Sequence, residues 1–416
     1  MNQRLRLPLS GAQAGIWFAQ QLDPTNPIYN TGEYIEIHGP VDPARFEQAL
    51  RHVLVKAESL HAQFGEDENG PWQIIDPSSD FPFYFIDMST ATNPESEALL
   101  WMKKDLLKPV DLTCDPLFTE ALFKISDQRF FWYQRIHHIA IDGFGFSLIA
   151  QKVAETYTAL MNERVIDDDV FASFREVIEE EEVYHASEQY GRDRQFWLER
   201  FRDQPEAVSL SDRAARASHT FIRKTVHLSV AQTERLKQSA QYWKAGWHEL
   251  FLAATALYLH RLTGATDVIL GLPMMNRLGS VALYVPAMVM NLVPLRLHLH
   301  ADMKMSQLLT VVRQEIKEIK KHHKYRHEQL RRDLKLLGEN QRLFGVQVNI
   351  MPFDYGLRFD GYQGTTHNLA AGPVDDLAIN VYDRTDGNGL RIDFDANPEM
   401  YQTDDLAIHQ SRFLQL

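Results

Sequence analysis

Two adjacent histidines followed by an Asp-Gly pair are the part of this sequence best suited to chemistry. The run His137-His138-x-x-x-Asp142-Gly143 comes directly after residues 129–136, whose aromatic and apolar content predicts a β-strand. Successive side chains of a strand point to opposite faces, so the two rings cannot do the same work. We expect His138 to face a cleft and His137 to be packed and hydrogen-bonded behind it.

An imidazole in a cleft can take up or release a proton near neutral pH. The side chains of His137 and His138 point in opposite directions and are badly placed to bind the same metal ion, which argues against a shared metal site. The Asp142-Gly143 pair predicts a tight turn that returns a carboxylate beneath the strand end and lets a backbone approach a substrate. A packed histidine with a purely structural role is the alternative that these residues leave open.

Composition excludes several classes of protein. The 416 residues carry a net charge of −13, which disfavours nucleic acid because phosphate binding needs lysine and arginine patches. The single cysteine, Cys114, which we expect to be buried, excludes an internal disulfide framework and fits a reducing cytoplasm. No apolar stretch is long enough to cross a membrane. His327-Glu328 lacks the second histidine of a metalloprotease helix, since Arg331 stands at that position.

The elements that must position the histidines alternate between helix and strand. Asp42-Pro43 predicts a helix start, and residues 117–125 and 129–136 predict a hairpin that leads into a helix over 146–160. A turn signal at 386–389 predicts a second hairpin between 377–382 and 390–394.

The polar stretch 162–169 predicts a boundary between two α/β units, near 1–165 and 170–416. The run of four acids at 179–182 is typical of a solvated helix face.

Several motifs together resemble the condensation domains of nonribosomal peptide synthetases. Besides the His-His-x-x-x-Asp-Gly run, the similar segments span nearly the whole chain and come in the family order: Ser10 to Trp17, Arg51 to Phe64, Tyr190 to Trp197 and Met288 to Leu295. Residues 131–135, 142–147 and 349–355 resemble siderophore synthetases of the enterobactin and bacillibactin type, the bacillibactin type more closely.

The resemblance implies an α/β fold like that of chloramphenicol acetyltransferase, a V-shaped pseudo-dimer of two lobes with a tunnel between them. It implies that Asp142 pairs with Arg277 of the second lobe, and that Asn349 faces the tunnel, although Asn349 can equally be a strand amide that satisfies local backbone groups. We expect His138 to act as general base or to orient the attacking amine, Gly143 to be an oxyanion donor or a close-approach site, and His137 with Asp142 to hold the architecture.

The implied reaction joins a 2,3-dihydroxybenzoyl thioester to the amine of a carrier-bound amino acid, which is glycine for the bacillibactin type. No bound cofactor or metal is expected, because the phosphopantetheine arms belong to the partner carrier proteins. Since the family pattern begins at Ser10, close to Met1, we expect the aryl carrier protein to act in trans.

We also expect a peptidyl carrier protein and an adenylation domain downstream in cis, with this chain as one domain of a larger synthetase. The alternatives are an acyltransferase of the same fold that forms an ester or uses a free amine, and a non-catalytic module that docks carriers. An epimerisation domain is disfavoured by the N-terminal position of the motifs.

Overall fold

The computed structural model describes residues 5–76, 81–166, 168, 170–213, 217–336, 341–351, 355–384 and 389–416. The chain forms two compact units whose boundaries differ from those predicted. Unit 1 comprises Met1–His185, Arg277–Met290 and Tyr355–Gly372, and unit 2 comprises Ala186–Asn276, Asn291–Asp354 and Pro373–Leu416. The first segment of unit 1 therefore ends about twenty residues after the predicted boundary near 165. The prediction also missed two later segments that belong to unit 1. Those segments join unit 1 because one packs into its core and the other adds a strand to its sheet.

The described residues contain fifteen strands and eleven α-helices. The strands in chain order are β1 Leu5–Pro8, β2 Asn30–Ile37, β3 Ala62–Asp67, β4 Gly70–Ile75, β5 Phe83–Asp87, β6 Phe118–Ser126, β7 Arg129–His137, β8 Ile222–Leu228, β9 Asp267–Met274, β10 Asn291–His298, β11 Val346–Met351, β12 Arg358–Phe359, β13 Tyr362–Ala370, β14 Leu377–Asp383 and β15 Leu390–Ala396. The helices are α1 Gly11–Leu22, α2 Pro43–Leu54, α3 Pro94–Leu106, α4 Gly143–Met161, α5 Phe174–His185, α6 Glu188–Arg200, α7 Val230–Tyr242, α8 Trp247–Thr263, α9 Met305–Ile319, α10 His327–Asp333 and α11 Thr403–Phe413.

Unit 1 is built on a six-stranded sheet in the order β12-β13-β2-β7-β6-β5. Strand alternation gives this sheet two apolar faces. Trp132 and Ile136 of β7 share one core with residues of α2 and α4, whereas Phe131 and Tyr133 share another with Ala98 of α3. The sheet therefore holds β7, which leads to the two histidines, at its centre with helices on both faces.

Local sequence signals explain how unit 1 is assembled. The Asp42 side chain accepts hydrogen bonds from two backbone N–H groups and Pro43 is the first helical residue, as predicted. The predicted hairpin is confirmed, since β6 and β7 pair antiparallel around the turn at 127–128. The helix predicted over 146–160 begins earlier, at Gly143, because Asp142 caps it.

Unit 2 contains the second six-stranded sheet, in the order β10-β9-β11-β14-β15-β8. The hairpin predicted near the end of the chain is confirmed by the antiparallel pairing of β14 with β15, while most of its turn signal, 386–388, lies outside the described residues. Gly264 ends α8 with φ of 73°, the left-handed conformation that glycine adopts without strain. The predicted α/β class is thus confirmed in each unit.

One smaller expectation was wrong, since Cys114 is exposed, not buried. The acidic run lies on a solvated helix face as predicted, with three of its four residues exposed. In addition, Glu181 accepts a hydrogen bond from the Gly11 N–H at the start of α1, and Glu180 accepts one from the Val281 N–H. Within the described ranges, no helix is long and apolar enough to cross a membrane, and no group of three or more potential metal ligands is present.

Candidate active site

His138 lies in a turn at the end of β7 and not in the strand itself. Strand β7 ends at His137, and residues 138–140 form a turn closed by the Ala140 N–H and the His137 carbonyl, 2.9 Å apart. The His138 Nδ1 atom lies 2.7 Å from the carbonyl oxygen of Ile141. A carbonyl can only accept, so Nδ1 carries the proton and the Nε2 atom of the neutral ring keeps a free lone pair.

Burial favours this neutral form. The pKa of the half-buried His138 is lowered by desolvation, and the Ile141 carbonyl and the Asp142 charge only partly oppose the shift. A Cβ atom added at Gly372 would lie 2.9 Å from Cδ2 and 3.3 Å from Nε2 of the ring. Gly372 therefore packs against the edge of the imidazole that carries the free lone pair.

His137 has the opposite tautomer and a different environment. It is 2 % exposed. Its Nδ1 accepts from the Ile139 N–H at 3.3 Å, so Nε2 carries the proton and donates to Gln20 Oε1 at 3.2 Å. Gln20 is oriented because its amide nitrogen donates to three backbone carbonyls. Burial, with smaller effects from His138 and Arg135, lowers the pKa of His137 to about 3. As predicted, His137 is packed and hydrogen-bonded.

Asp142 caps a helix and does not form the tight turn that we predicted. It is the residue before α4, and its side chain accepts from the Gly145 N–H at 3.0 Å. The same Oδ1 atom accepts from Arg277 Nη2 at 2.8 Å, and Oδ2 accepts from the N–H groups of Val289 and Met290 at 3.2 and 3.1 Å. Both carboxylate oxygens are thus committed to the protein's own donors.

Arg277 forms the ion pair with Asp142 that the resemblance implied, but it belongs to unit 1. Its side chain has no exposed surface. The guanidinium also donates to three carbonyls of the segment Arg277–Met290, those of Ala282, Val285 and Ala287. A planar group with five donors in a fixed fork suits this many acceptors. The pair therefore fastens that segment to the start of α4.

Gly143 is the first residue of α4, where a helix leaves its N–H groups without an internal acceptor. A Cβ atom built on Gly143 would meet no described atom within 4 Å apart from its chain neighbours and the backbone of its own helix. Gly143 also lacks the positive φ that would require glycine for backbone reasons. Packing and backbone conformation thus give no reason for glycine here, which favours a close-approach site.

Asn349 lies on β11 in unit 2 and is partly buried. Its Nδ2 atom is 3.3 Å from Oδ1 of Asn380, its partner in the parallel register of β11 and β14. Among the described residues, Asn349 thus pairs with a side chain of the neighbouring strand and not with the local backbone groups of the alternative. Its role in chemistry stays a prediction.

Sequence reasoning missed two residues beside the histidine segment. Gly372 precedes Pro373, and a Gly-Pro pair predicts a turn. This pair does not predict that Gly372 lies next to the His138 ring. The Tyr355 hydroxyl lies 3.2 Å from Glu33 Oε2 and 3.4 Å from the Gly143 carbonyl oxygen. Both residues are more than 200 positions from His138 in the chain, so only the folded structure brings them together.

Comparison with known proteins shows the family to which the chain with this histidine segment belongs. Residues 3–416 match the family model described as Condensation domain, so the chain belongs to this family. Condensation domains are acyltransferases that form amide bonds between substrates tethered to carrier protein domains.

Relatives include siderophore synthetases. The chain is 62 % identical over 412 residues to a dimodular nonribosomal peptide synthase of Bacillus subtilis (strain 168), covering 99 % of this chain and 17 % of that protein. It is 34 % identical over 416 residues to enterobactin synthase component F of Escherichia coli O157:H7, covering 99 % of this chain and 32 % of that protein. The chain therefore spans less than a third of the length of each of these relatives.

Among solved structures, the starter condensation domain of rhizomide synthetase, a double mutant in complex with C8-CoA and Leu-SNAC, superposes with a TM-score of 0.92. It is 38 % identical, and the match covers 99 % of this chain and 93 % of that chain. The fold is thus that of a condensation domain along the whole chain.

Proposed function

We propose that this condensation domain joins a 2,3-dihydroxybenzoyl group to the amine of a carrier-bound amino acid, glycine, in siderophore biosynthesis. The aryl group arrives as a thioester on an aryl carrier protein supplied in trans, and the acceptor is carried by a downstream peptidyl carrier protein. Similarity to enterobactin synthase component F supports the assignment to siderophore biosynthesis. The domain needs no cofactor or metal of its own, because the carriers bring the phosphopantetheine arms.

The observation that carries the catalytic part of the proposal is the tautomer of His138. Attack of the amine on the thioester carbonyl forms a C–N bond and breaks the C–S bond, and the proton lost by the amine ends on the departing thiol. The Nε2 lone pair of His138 can accept that proton, or it can accept a hydrogen bond from the amine and orient it. Both uses need a neutral ring with Nδ1 protonated, which the Ile141 carbonyl and burial maintain.

The remaining residues of the segment hold this imidazole in place. His137 anchors the end of β7 through Gln20, and Asp142 with Arg277 fixes the start of α4. Open space beside Gly143 allows the tetrahedral intermediate to approach the helix N-terminus, where backbone N–H groups stabilise negative charge. We assign His138 and Gly143 to contact with substrate, and His137, Asp142 and Arg277 to positioning.

Replacing His138 with Ala tests the proposal directly. We expect amide formation between 2,3-dihydroxybenzoyl-loaded aryl carrier and glycyl carrier to fall by about 10²- to 10⁴-fold, the usual contribution of a positioned acid-base group. Intact-mass analysis of the carriers measures the product. The control is His38→Ala, which removes an exposed histidine from the same unit and should keep the wild-type rate. Wild-type turnover in His138→Ala would contradict the role of His138.

The identity of the acceptor substrate is tested by changing the acceptor while the aryl donor is kept the same. Wild-type protein is incubated with the aryl-loaded carrier and a set of aminoacyl carriers, free amines, serine or threonine. An amide on glycyl carrier supports the proposal, whereas an ester or a free-amine product identifies a same-fold acyltransferase with another acceptor. Carrier binding without any product identifies a docking module.

A further inference from the structure

Three polar side chains form a row across the sheet of unit 1. Glu33 of β2 is directly opposite Gln134 of β7, and Gln134 is directly opposite Glu120 of β6. Directly paired residues of antiparallel strands place their side chains on the same face, about 5 Å apart. This polar row lies on the face that also carries Trp132 and Ile136, against which α2 and α4 pack. Glu33 is 5 % exposed, and Gln134 and Glu120 have no exposed surface.

The row contains polar atoms that the described part of the chain does not satisfy. Neither Oε1 nor Nε2 of Gln134 has a hydrogen-bond partner among the described residues, and the same is true of Glu120 Oε1. The other Glu120 oxygen accepts from Trp132 Nε1 at 2.7 Å. Buried polar atoms are nearly always paired in folded proteins, so three unpaired atoms within two neighbouring side chains require an explanation.

The polar row adjoins the histidine segment. The Tyr355 hydroxyl contacts both Glu33 Oε2 and the Gly143 carbonyl oxygen, so one end of the row is two contacts away from Gly143. Thr31 precedes Glu33 by two residues on β2 and therefore shares its face, and its Cγ2 atom would lie 3.8 Å from a Cβ atom at Gly372, beside His138. These contacts place the Glu33 end of the row close to the histidine segment.

We propose that the polar row of Glu33, Gln134 and Glu120 is the subsite that recognises hydroxyl groups on the acyl donor. A hydroxyl both donates and accepts, which matches the free acceptor Gln134 Oε1 and the free donor Gln134 Nε2. Burial raises the pKa of Glu120 and favours its protonated form, whose Oε1 can donate to a hydroxyl oxygen. An aliphatic acyl chain in the same place would leave all three atoms unpaired against methylene groups. The inference depends on the proposed function, since it names residues that select the donor of that reaction.

The experiment compares two aryl carriers that differ only in hydroxylation, one loaded with 2,3-dihydroxybenzoate and one with benzoate. In the wild-type protein we expect kcat/KM for the dihydroxybenzoyl donor to exceed that for the benzoyl donor by at least about 100-fold, because a site built to bind hydroxyls strongly rejects analogues that lack them. Gln134→Leu should reduce this ratio by about 10-fold or more. Its rate with the benzoyl donor should not fall.

Gln73→Leu is the matched control. Gln73 is also a fully buried glutamine of unit 1, but its Nε2 atom is satisfied by the Pro8 carbonyl and by Gln13 Oε1, at 2.9 and 2.7 Å. Gln73→Leu should lower the melting temperature and leave the donor ratio unchanged. Gln134→Leu removes unpaired atoms, so it should not lower the melting temperature as Gln73→Leu does.

Three results would overturn the inference. The first is a wild-type enzyme that uses both donors equally well, and the second is a Gln134→Leu variant that keeps the wild-type ratio. If Gln134→Leu does not fold, Gln134→Met replaces it, since methionine keeps the unbranched shape of glutamine and lacks both unpaired polar atoms, and an unchanged ratio in that variant is the third.

A binding measurement separates this inference from the proposed function. Calorimetry with the pantetheine thioesters of 2,3-dihydroxybenzoate and benzoate reports donor selection without turnover. Absence of amide product with tighter binding of the hydroxylated thioester would reject the proposed reaction and keep the subsite. Amide product with equal binding and equal rates for the two donors would reject the subsite alone.

Discussion

Adjacent histidines of one short segment differ here because each ring nitrogen has a different backbone or side-chain neighbour. A carbonyl at Nδ1 fixes the proton of His138, and a backbone N–H at Nδ1 fixes the opposite tautomer of His137. Burial then keeps both rings neutral by lowering their pKa values. At the scale of single residues, the protonation and tautomer of each ring therefore depend on the neighbouring backbone and side-chain groups as much as on the histidines themselves.

Gly143 offers a test of close approach by substrate. Gly143→Ala adds a methyl group where no described atom lies within 4 Å apart from its chain neighbours and the backbone of its own helix, and alanine is a better helix former than glycine, so stability should be unchanged or slightly raised. If substrate occupies that space, amide formation should fall at least 10-fold. The control is Gly191→Ala in α6, which has equally open surroundings. Unchanged kinetics in Gly143→Ala would show that substrate does not approach there.

Gly372 offers a test of imidazole placement. Its φ of 101° is strained for any other residue, and a Cβ atom would press on the His138 ring. Gly372→Ala should lower kcat for amide formation more than 10-fold beyond any loss of stability. Gly70→Ala is the matched control, because Gly70 has φ of 103° and open space, and it should lose only stability. Equal kinetic losses in the two variants would exclude a positioning role for Gly372.

At the scale of elements, the buried ion pair joins parts of the chain that lie 135 residues apart. Asp142 caps α4, and Arg277 donates hydrogen bonds to backbone carbonyls of the segment Arg277–Met290. The pair therefore fixes the helix that follows the histidines. Sequence spacing placed Asp142 close to His138, whereas only the resemblance to a family pointed to Arg277. The assignment of Arg277–Met290 to unit 1 was not predicted, because the apolar residues of this segment could be buried in the core of either unit.

Breaking this pair should be costly. Asp142→Asn or Arg277→Met leaves one charge buried without its partner, and each should lower the free energy of unfolding by about 3–5 kcal/mol. The double variant should cost less than the two single changes together, since no lone charge remains. Urea unfolding followed by fluorescence measures the effect. Glu47→Gln breaks the exposed Arg51–Glu47 pair and should cost at most about 1 kcal/mol. Additive losses in the double variant would contradict coupling between Asp142 and Arg277.

At the scale of the whole molecule, buried neutral histidines make stability depend on pH. His137 has a pKa of about 3 when folded and an ordinary value of 6.5 when unfolded. Between these values the unfolded chain binds a proton that the folded chain does not, so the free energy of unfolding falls as pH falls below 6.5. The decrease from this one group is up to about 1.4 kcal/mol per pH unit.

Thermal unfolding at pH 7.0 and 5.5 checks this expectation. The melting temperature of the wild type should fall between these two values, and His137→Gln, which keeps a donor for Gln20 but cannot be protonated, should show a smaller fall. His38→Gln, at an exposed position, serves as control and should fall like the wild type. An identical fall in His137→Gln would remove His137 as a source of the pH dependence.

Local sequence by itself determined the hairpin that carries the histidines, the Asp42 helix start and the α/β class. These depend on side-chain alternation and helix capping, which act over a few residues. Tertiary structure alone decided that His138 leaves the strand, that Gly372 and Tyr355 reach the histidine segment, and that three buried polar side chains stand in one row. Such contacts depend on strand order and register between distant segments, and no local rule encodes which strand becomes the neighbour of another.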